Sequence, residues 1–289
     1  MSGVPGPTSK EGKLTPKGAA LKRWRCSKSE DIFKDKLDLI KKAEVDHGLS
    51  LLADVLKAAG LKGSARFVWM NGADTPLGTM PDFIRQVPLA KAIDPDTLLA
   101  YEMNGRPLPL LHGAPLRVIT PGWMADSCIK WLTEITVQAD EAKGYYMQTA
   151  YRVPVTAIQP NSGLPGTSMV PVEAMVLKSL IASPGNGDEV GRGPVTVQGV
   201  AWSGESAITT VELSFDEGRT WEQARLVGED EPYAWRQWQF LWRPKGGGPV
   251  SMLCRATDST GQVQPQTTPW NPSGFLWNGW DRVTVTVQA

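Results

Sequence analysis

Three cations, His112, Arg117 and Lys130, fall within YEMNGRPLPLLHGAPLRVITPGWMADSCIKWLTEI (101–135), a stretch otherwise dominated by proline, glycine and apolar residues. Cations embedded in this way need an anionic partner, because an unpaired buried charge is costly. A phosphate suits the set, met by the planar fork of Arg117 and the point charge of Lys130. The same side chains can instead pair at the surface with Glu102 or Asp126, and spacing alone does not separate the two arrangements.

Other chemistry is thinly represented. Cys26, Cys128 and Cys254 lie far apart, form no CxxC pair and have only His47 and His112 to help them, so a zinc site is not indicated. Cys128 and Cys254 sit in apolar strand patterns and read as buried, inert thiols. Cys26 lies in the basic run LKRWRCSKSE, where neighbouring cations lower a thiol pKa, although a solvated loop cysteine is the plainer reading. Carboxylates are scattered without a paired acid/base spacing, and there is no GxGxxG or P-loop. The 289 residues carry 30 basic and 30 acidic side chains, which leaves no broad field to attract nucleic acid or an anionic membrane. No stretch approaches the ~20 apolar residues of a membrane span, and the start MSGVPGPTSKEGK lacks the apolar centre of a secretory signal.

The elements that must position these residues are short. Residues 1–48 carry 11 basic and 7 acidic side chains and few large apolar ones, so this segment is expected to pack weakly; EDIFKDKLDLIKKAE within it is helix-like, with a solvated charged face. Leu51, Leu52, Val55, Leu56 and Ala59 then recur at helical spacing, and a helix is expected over 50–59, capped by Ser50 and closed by Gly60. Arg66 to Met70 reads as a strand entering a tight turn at Asn71-Gly72. Further strands are expected over 116–119 and 129–137, the latter alternating Ile129, Trp131, Thr133, Ile135 and Val137 on one face.

The segment 154–171, rich in Pro, Gly, Asn and Ser, marks a domain boundary. Beyond it, alternating runs around Val195–Gly199, Val211–Phe215, Val250–Ala256 and Val283–Val287 are separated by turn signals at Asp216-Glu217-Gly218 and 258–261, the spacing of an immunoglobulin-type sandwich. Eight of the 12 tryptophans fall here, more readily core anchors than ligand platforms. The expected organisation is 1–48 as an atypical segment, 49–157 as an α+β domain, 158–172 as a linker and 173–289 as the sandwich.

The 101–135 stretch resembles the sulfite oxidase family of molybdenum-cofactor enzymes, which carry a YEMNGxPLPxxHGxPxRxxxPG run followed by a KWL motif. The likeness continues through GYYMQTAYRVP (144–154), VQGVAWSG (197–204), SFDEGRTW (214–221), WRQWQ (235–239), ATDSTGQVQP (256–265) and NGWDRV (278–283). GWMADSCIKWL and YYMQTAYR look most like the bacterial sulfite dehydrogenase branch. The resemblance implies that His112, Arg117 and Lys130 hold a molybdopterin and its phosphate, that Tyr151 lies near the metal's oxo group, and that Arg282 helps form an anion pocket. On the residues alone, Tyr151 is a strand tyrosine packed under the linker and Arg282 a surface arginine. The family's metal-binding cysteine stands in a Cys-x-Gly-Asn context; Cys26 stands at roughly the expected distance, but Ser27 and Lys28 follow it and the family's glycine-rich segment is missing.

The resemblance thus implies a truncated sulfite-oxidase-type molybdopterin domain followed by an immunoglobulin-like dimerisation domain. The implied protein is a homodimer that oxidises sulfite or a related sulfur oxyanion to sulfate and passes electrons to a cytochrome c or heme subunit, without nucleic-acid or membrane partners. A catalytically inactive dimeric scaffold, or a relative acting on nitrate or a sulfoxide, are the alternatives. The family points to the periplasm, and the start of the chain to the cytoplasm.

Overall fold

The computed structural model describes residues 23–25, 44–46, 49–160 and 168–289. The chain divides into two compact units at Arg152/Val153, just ahead of the Pro- and Gly-rich stretch. The first unit holds β1 (Arg23–Arg25), β2 (Glu44–Asp46), β3 (Leu49–Leu51), α1 (Leu52–Ala59), β4 (Phe67–Gly72), β5 (Arg85–Pro88), α2 (Leu89–Ala92), β6 (Leu98–Ala100), β7 (Glu102–Met103), β8 (Arg106–Pro107), β9 (Arg117–Ile119), β10 (Leu132–Gln138) and α3 (Tyr145–Gln148). Two antiparallel sheets result, ordered β1-β10-β4-β5 and β2-β3-β6-β9, beside the β7-β8 hairpin. Val68, Met70 and Gly72 alternate inward along β4, as the two-residue side-chain period of a half-buried strand requires. The helix α1 buries Leu52, Val55 and Leu56, one face at i, i+3 and i+4.

Local readings are corrected at three places. The helix starts at Leu52, because Ser50 is paired with Leu99 in β3 and fully buried; Leu51 precedes the helix without a side-chain cap. Gly60 does close it, at φ +81° and with its N–H donated to the Lys57 carbonyl at 3.0 Å. Asn71-Gly72 is no turn, since both residues stay in register with Glu134 and Leu132 on β10, and Ala73 N–H extends the contact to the Trp131 carbonyl. The regular alternation over 129–137 is broken by Trp131 at φ +50° and a bulge between Leu132 and Glu134, which turns Leu132 and Thr136 inward as well as Ile135. The helix-like run 30–44 lies mostly outside the described residues. On either side of it, the backbone of β1 pairs with β10 and that of β2 with β3.

The second unit is a two-layer sandwich. Its strands are β11 (Lys178–Ser183), β12 (Glu189–Val190), β13 (Val195–Trp202), β14 (Ile208–Ser214), β15 (Glu222–Gln223), β16 (Arg225–Val227), β17 (Arg236–Trp242), β18 (Gly248–Asp258) and β19 (Asp281–Val287). They form sheets ordered β11-β13-β17-β16 and β12-β19-β18-β14-β15, antiparallel except for β12 with β19. Val197, Ala201, Trp238 and Trp242 from one sheet meet Val211, Leu213, Met252, Cys254 and Val285 from the other in one apolar core. Trp238 and Trp242 are core anchors, whereas Trp235 and Trp277 are 65% and 54% exposed. Among the described residues no helix is long and apolar enough to cross a membrane.

Candidate functional site

The antiparallel pairing of Ala100 with Arg117 sets the start of β9 beside β6, and the chain between them folds through a short 3-10 turn, Leu110–His112. Gly113 ends that turn at φ +106°, where a Cβ would also lie 2.9 Å from Lys130 Cβ, so both backbone angle and space call for glycine. Lys130 and Trp131 run back across it: Trp131 donates its backbone N–H to the Gly113 carbonyl at 3.2 Å and its indole N–H to the Leu110 carbonyl at 2.8 Å.

These contacts bring the three predicted cations to one turn. Lys130 Nζ donates to the Leu111 carbonyl at 3.1 Å and lies 4.5 Å from the Trp131 ring centre. Arg117 Nη1 donates to the His112 carbonyl at 3.0 Å, Nη2 reaches the Cys128 carbonyl at 3.5 Å, and Nε is buried with no hydrogen-bond partner among the described residues. His112 is exposed on the same turn. Neither Arg117 nor Lys130 forms an ion pair with a described carboxylate; Asp126 instead lies 2.6 Å from Arg85. Cations held by carbonyls and neutralised by no described carboxylate, around an open turn, fit the phosphate of a bound pterin.

Tyr151 stands after α3 at φ +53°, an unfavourable angle for an aromatic residue. Its ring lies 6.0 Å from both Phe83 and Tyr146, and the Arg85 guanidinium is 5.1 Å from its centre. Arg85 is 1% exposed; its Nη1 donates to the Tyr146 carbonyl and its Nη2 meets Asp126 Oδ2. Burial pushes the Asp126 carboxyl above the usual carboxylate range, and the Arg85 charge opposes that rise. The sequence does not single out Arg85, and it offers Asp126 only as a surface partner for the three cations, whereas Asp126 is nearly buried against Arg85. The available signal was a charge in the strand-like run FIRQVP, at a position whose neighbours Ile84 and Val87 are apolar.

Arg282 lies on β19 in the sandwich, where Nη1 and Nη2 grip both carboxylate oxygens of Glu217 at 2.9 and 2.5 Å. The bidentate pair holds the Glu217 carboxyl below its ordinary range and raises the guanidinium. Arg282 is therefore engaged by a carboxylate within its own unit. Cys26 lies outside the described residues, and among those described no three His, Cys, Asp or Glu side chains are placed to hold a metal ion.

Residues 47–146 match the family model of the oxidoreductase molybdopterin binding domain, and 170–288 match that of the Mo-co oxidoreductase dimerisation domain. Over 249 residues the chain is 37% identical to the mitochondrial sulfite oxidase of Homo sapiens, covering 82% of this chain and 45% of that protein. It is 32% identical over 261 residues to the NAD(P)H nitrate reductase of Hordeum vulgare, covering 82% of this chain and 29% of the reductase. The chain thus spans less than half the length of either relative. Among solved structures, the sulfane dehydrogenase SoxCD from Paracoccus pantotrophus is similar with a TM-score of 0.69 at 26% identity, over 83% of this chain and 61% of that one.

Proposed function

The chain belongs to the sulfite oxidase family of molybdopterin-dependent oxidoreductases, and from that premise we propose that it oxidises sulfite to sulfate. The observation that carries the reading is the gathering of Arg117 and Lys130 around the turn that bears His112, both donating to backbone carbonyls and neither paired with a described carboxylate. Arg117, through the edge of its planar fork, and Lys130 would hold the pterin phosphate, and His112 would approach from the exposed side. When bound, the cofactor supplies two-electron oxygen-atom chemistry. Sulfite and water give sulfate, two protons and two electrons, and the electrons leave singly to a cytochrome c. Tyr151 would offer its hydroxyl as a hydrogen-bond donor to the anionic substrate beside the bound cofactor.

The test is molybdenum analysis of the purified protein, with pterin fluorescence after denaturation and sulfite-dependent reduction of cytochrome c. Molybdenum, pterin and cytochrome reduction together are expected, with the rate lowered by Tyr151→Phe. The likeness to a nitrate reductase supports a second reading, reduction of nitrate, which consumption of nitrate with a reduced viologen, and no turnover of sulfite, would establish instead. Protein that carries neither pterin nor molybdenum would be a dimeric scaffold.

A further inference from the structure

We propose that Arg85, clamped by Asp126, is the positioning residue for Tyr151. This rests on the functional reading above only for its kinetic consequence. Three contacts of the guanidinium tie Asp126, the Tyr146 backbone and the Tyr151 ring together. Nη2 is tied to Asp126 Oδ2 at 2.6 Å, Nη1 donates to the carbonyl of Tyr146, and the plane's centre lies 5.1 Å from the Tyr151 ring. The next residue on β5 works on the same segment: Gln86 Oε1 accepts the Ala142 N–H, while Gln148 Nε2 returns to the Ala142 carbonyl at 2.8 Å. Two consecutive β5 side chains therefore fix the 142–148 turn from one side. Arg152 Nη1 fixes it from the other through the Met147 carbonyl.

That fixing matters because the backbone at Tyr151 is held at φ +53°, a conformation that persists only where the surroundings over-determine it. Phe83, edge-on at an interplanar angle of 81°, and Tyr146 bound the ring on further sides. Arg85 adds a fixed charge to this enclosure, and a cation attracted to the ring face resists rotation of the ring away from it. Asp126 keeps that cation from swinging out, since both carboxylate and guanidinium are nearly fully buried. Arg85 thus acts on the reaction through the placement of the Tyr151 hydroxyl and touches no reacting atom itself.

The placement is read first without any cofactor. The five tyrosines are replaced by 3-fluorotyrosine and their 19F resonances assigned by single Tyr→Phe changes. Arg85→Met is made together with Asp126→Leu so that no buried charge is left alone, and Arg85→Lys restores the charge without the fork. The expected result is a shifted and broadened Tyr151 resonance in Arg85→Met/Asp126→Leu, partial recovery in Arg85→Lys, and unmoved Tyr101 and Tyr233 lines. A Tyr151 line unmoved in a folded double variant overturns the proposal whatever the protein catalyses. Kinetics then separate positioning from general support. Removing Arg85 is expected to lower kcat/KM for sulfite about ten- to a hundredfold in the parent, the usual effect of a small misplacement, and under twofold on the Tyr151→Phe background. An equal loss on both backgrounds shows that Arg85 does not act through Tyr151. A shifted 19F line in a protein that does not turn over sulfite leaves the positioning intact and removes the sulfite reading alone.

Discussion

Arg117 is held by two carbonyls and by no described carboxylate, which leaves its positive charge available to an outside anion. Arg117→Ala is therefore expected to weaken the pterin phosphate contact by about 1.5–3 kcal/mol, the range for hydrogen bonds to charged groups. Pterin recovered from the purified variant, measured by fluorescence after denaturation, should fall at least about tenfold. Arg117→Lys should recover part of it, because the charge returns without the fork. The thiols divide in the same residue-by-residue way. Cys254 is fully buried beside Ser179 Oγ, and burial pushes its thiol up to about 12, whereas Cys128 is partly exposed and receives the Thr120 N–H. Iodoacetamide at pH 8 should leave Cys254 unmodified in the native protein and label it only after unfolding; native labelling at Cys254 would show that the sandwich opens.

At the scale of elements, the sandwich strands were legible because their period-two alternation matches one buried face, and the turn at 216–218 because glycine and aspartate are what its backbone demands. Asp216 there accepts hydrogen bonds from Arg219 N, Thr220 N and both hydroxyls of Thr220 and Ser214, which hold its carboxyl down at about 2 from an ordinary 3.8. A depressed carboxylate contributes stability that is complete above its unfolded-state value and fades as pH falls through the folded one. The gap in melting temperature between the parent and Asp216→Asn should thus be constant above pH 5 and shrink between about 4 and 2. Gly199 on β13 is a quieter constraint: a Cβ would sit 2.0 Å from the Leu180 carbonyl oxygen and 2.4 Å from the Trp238 ring, so Gly199→Ala should destabilise by roughly 1–3 kcal/mol or more in chemical denaturation. The first unit was harder to read. Ser50 has a capping residue's chemistry but its backbone is claimed by strand pairing, and Asn71-Gly72 has a turn's chemistry but is claimed by β10. Long-range pairing overrode local preference at both. The cation turn was visible as a motif, while the Arg85–Asp126 pair joins residues 41 positions apart that no local pattern connects.

At the scale of the molecule, two compact units meet the two family models in order, the second of them a dimerisation domain. Zero formal net charge places little electrostatic repulsion between copies. The sandwich also leaves several large aromatic side chains exposed. Trp202 and Trp235 stack with centres 6.0 Å apart, Trp277 covers Lys178 at 4.3 Å, and Trp235, Trp277 and Leu241 are all more than half exposed. Closed symmetry is the economical way to cover such surface, because one self-complementary patch then buries itself twice. Light scattering at micromolar concentration should accordingly give twice the mass of one chain, and the melting temperature should rise with protein concentration, as it does when only the folded state associates. On dilution into the monomer range, the tryptophan emission should shift to the red as interface rings meet water. A monomeric mass together with a concentration-independent melting temperature would show that the exposed tryptophans serve something other than a second copy of this chain.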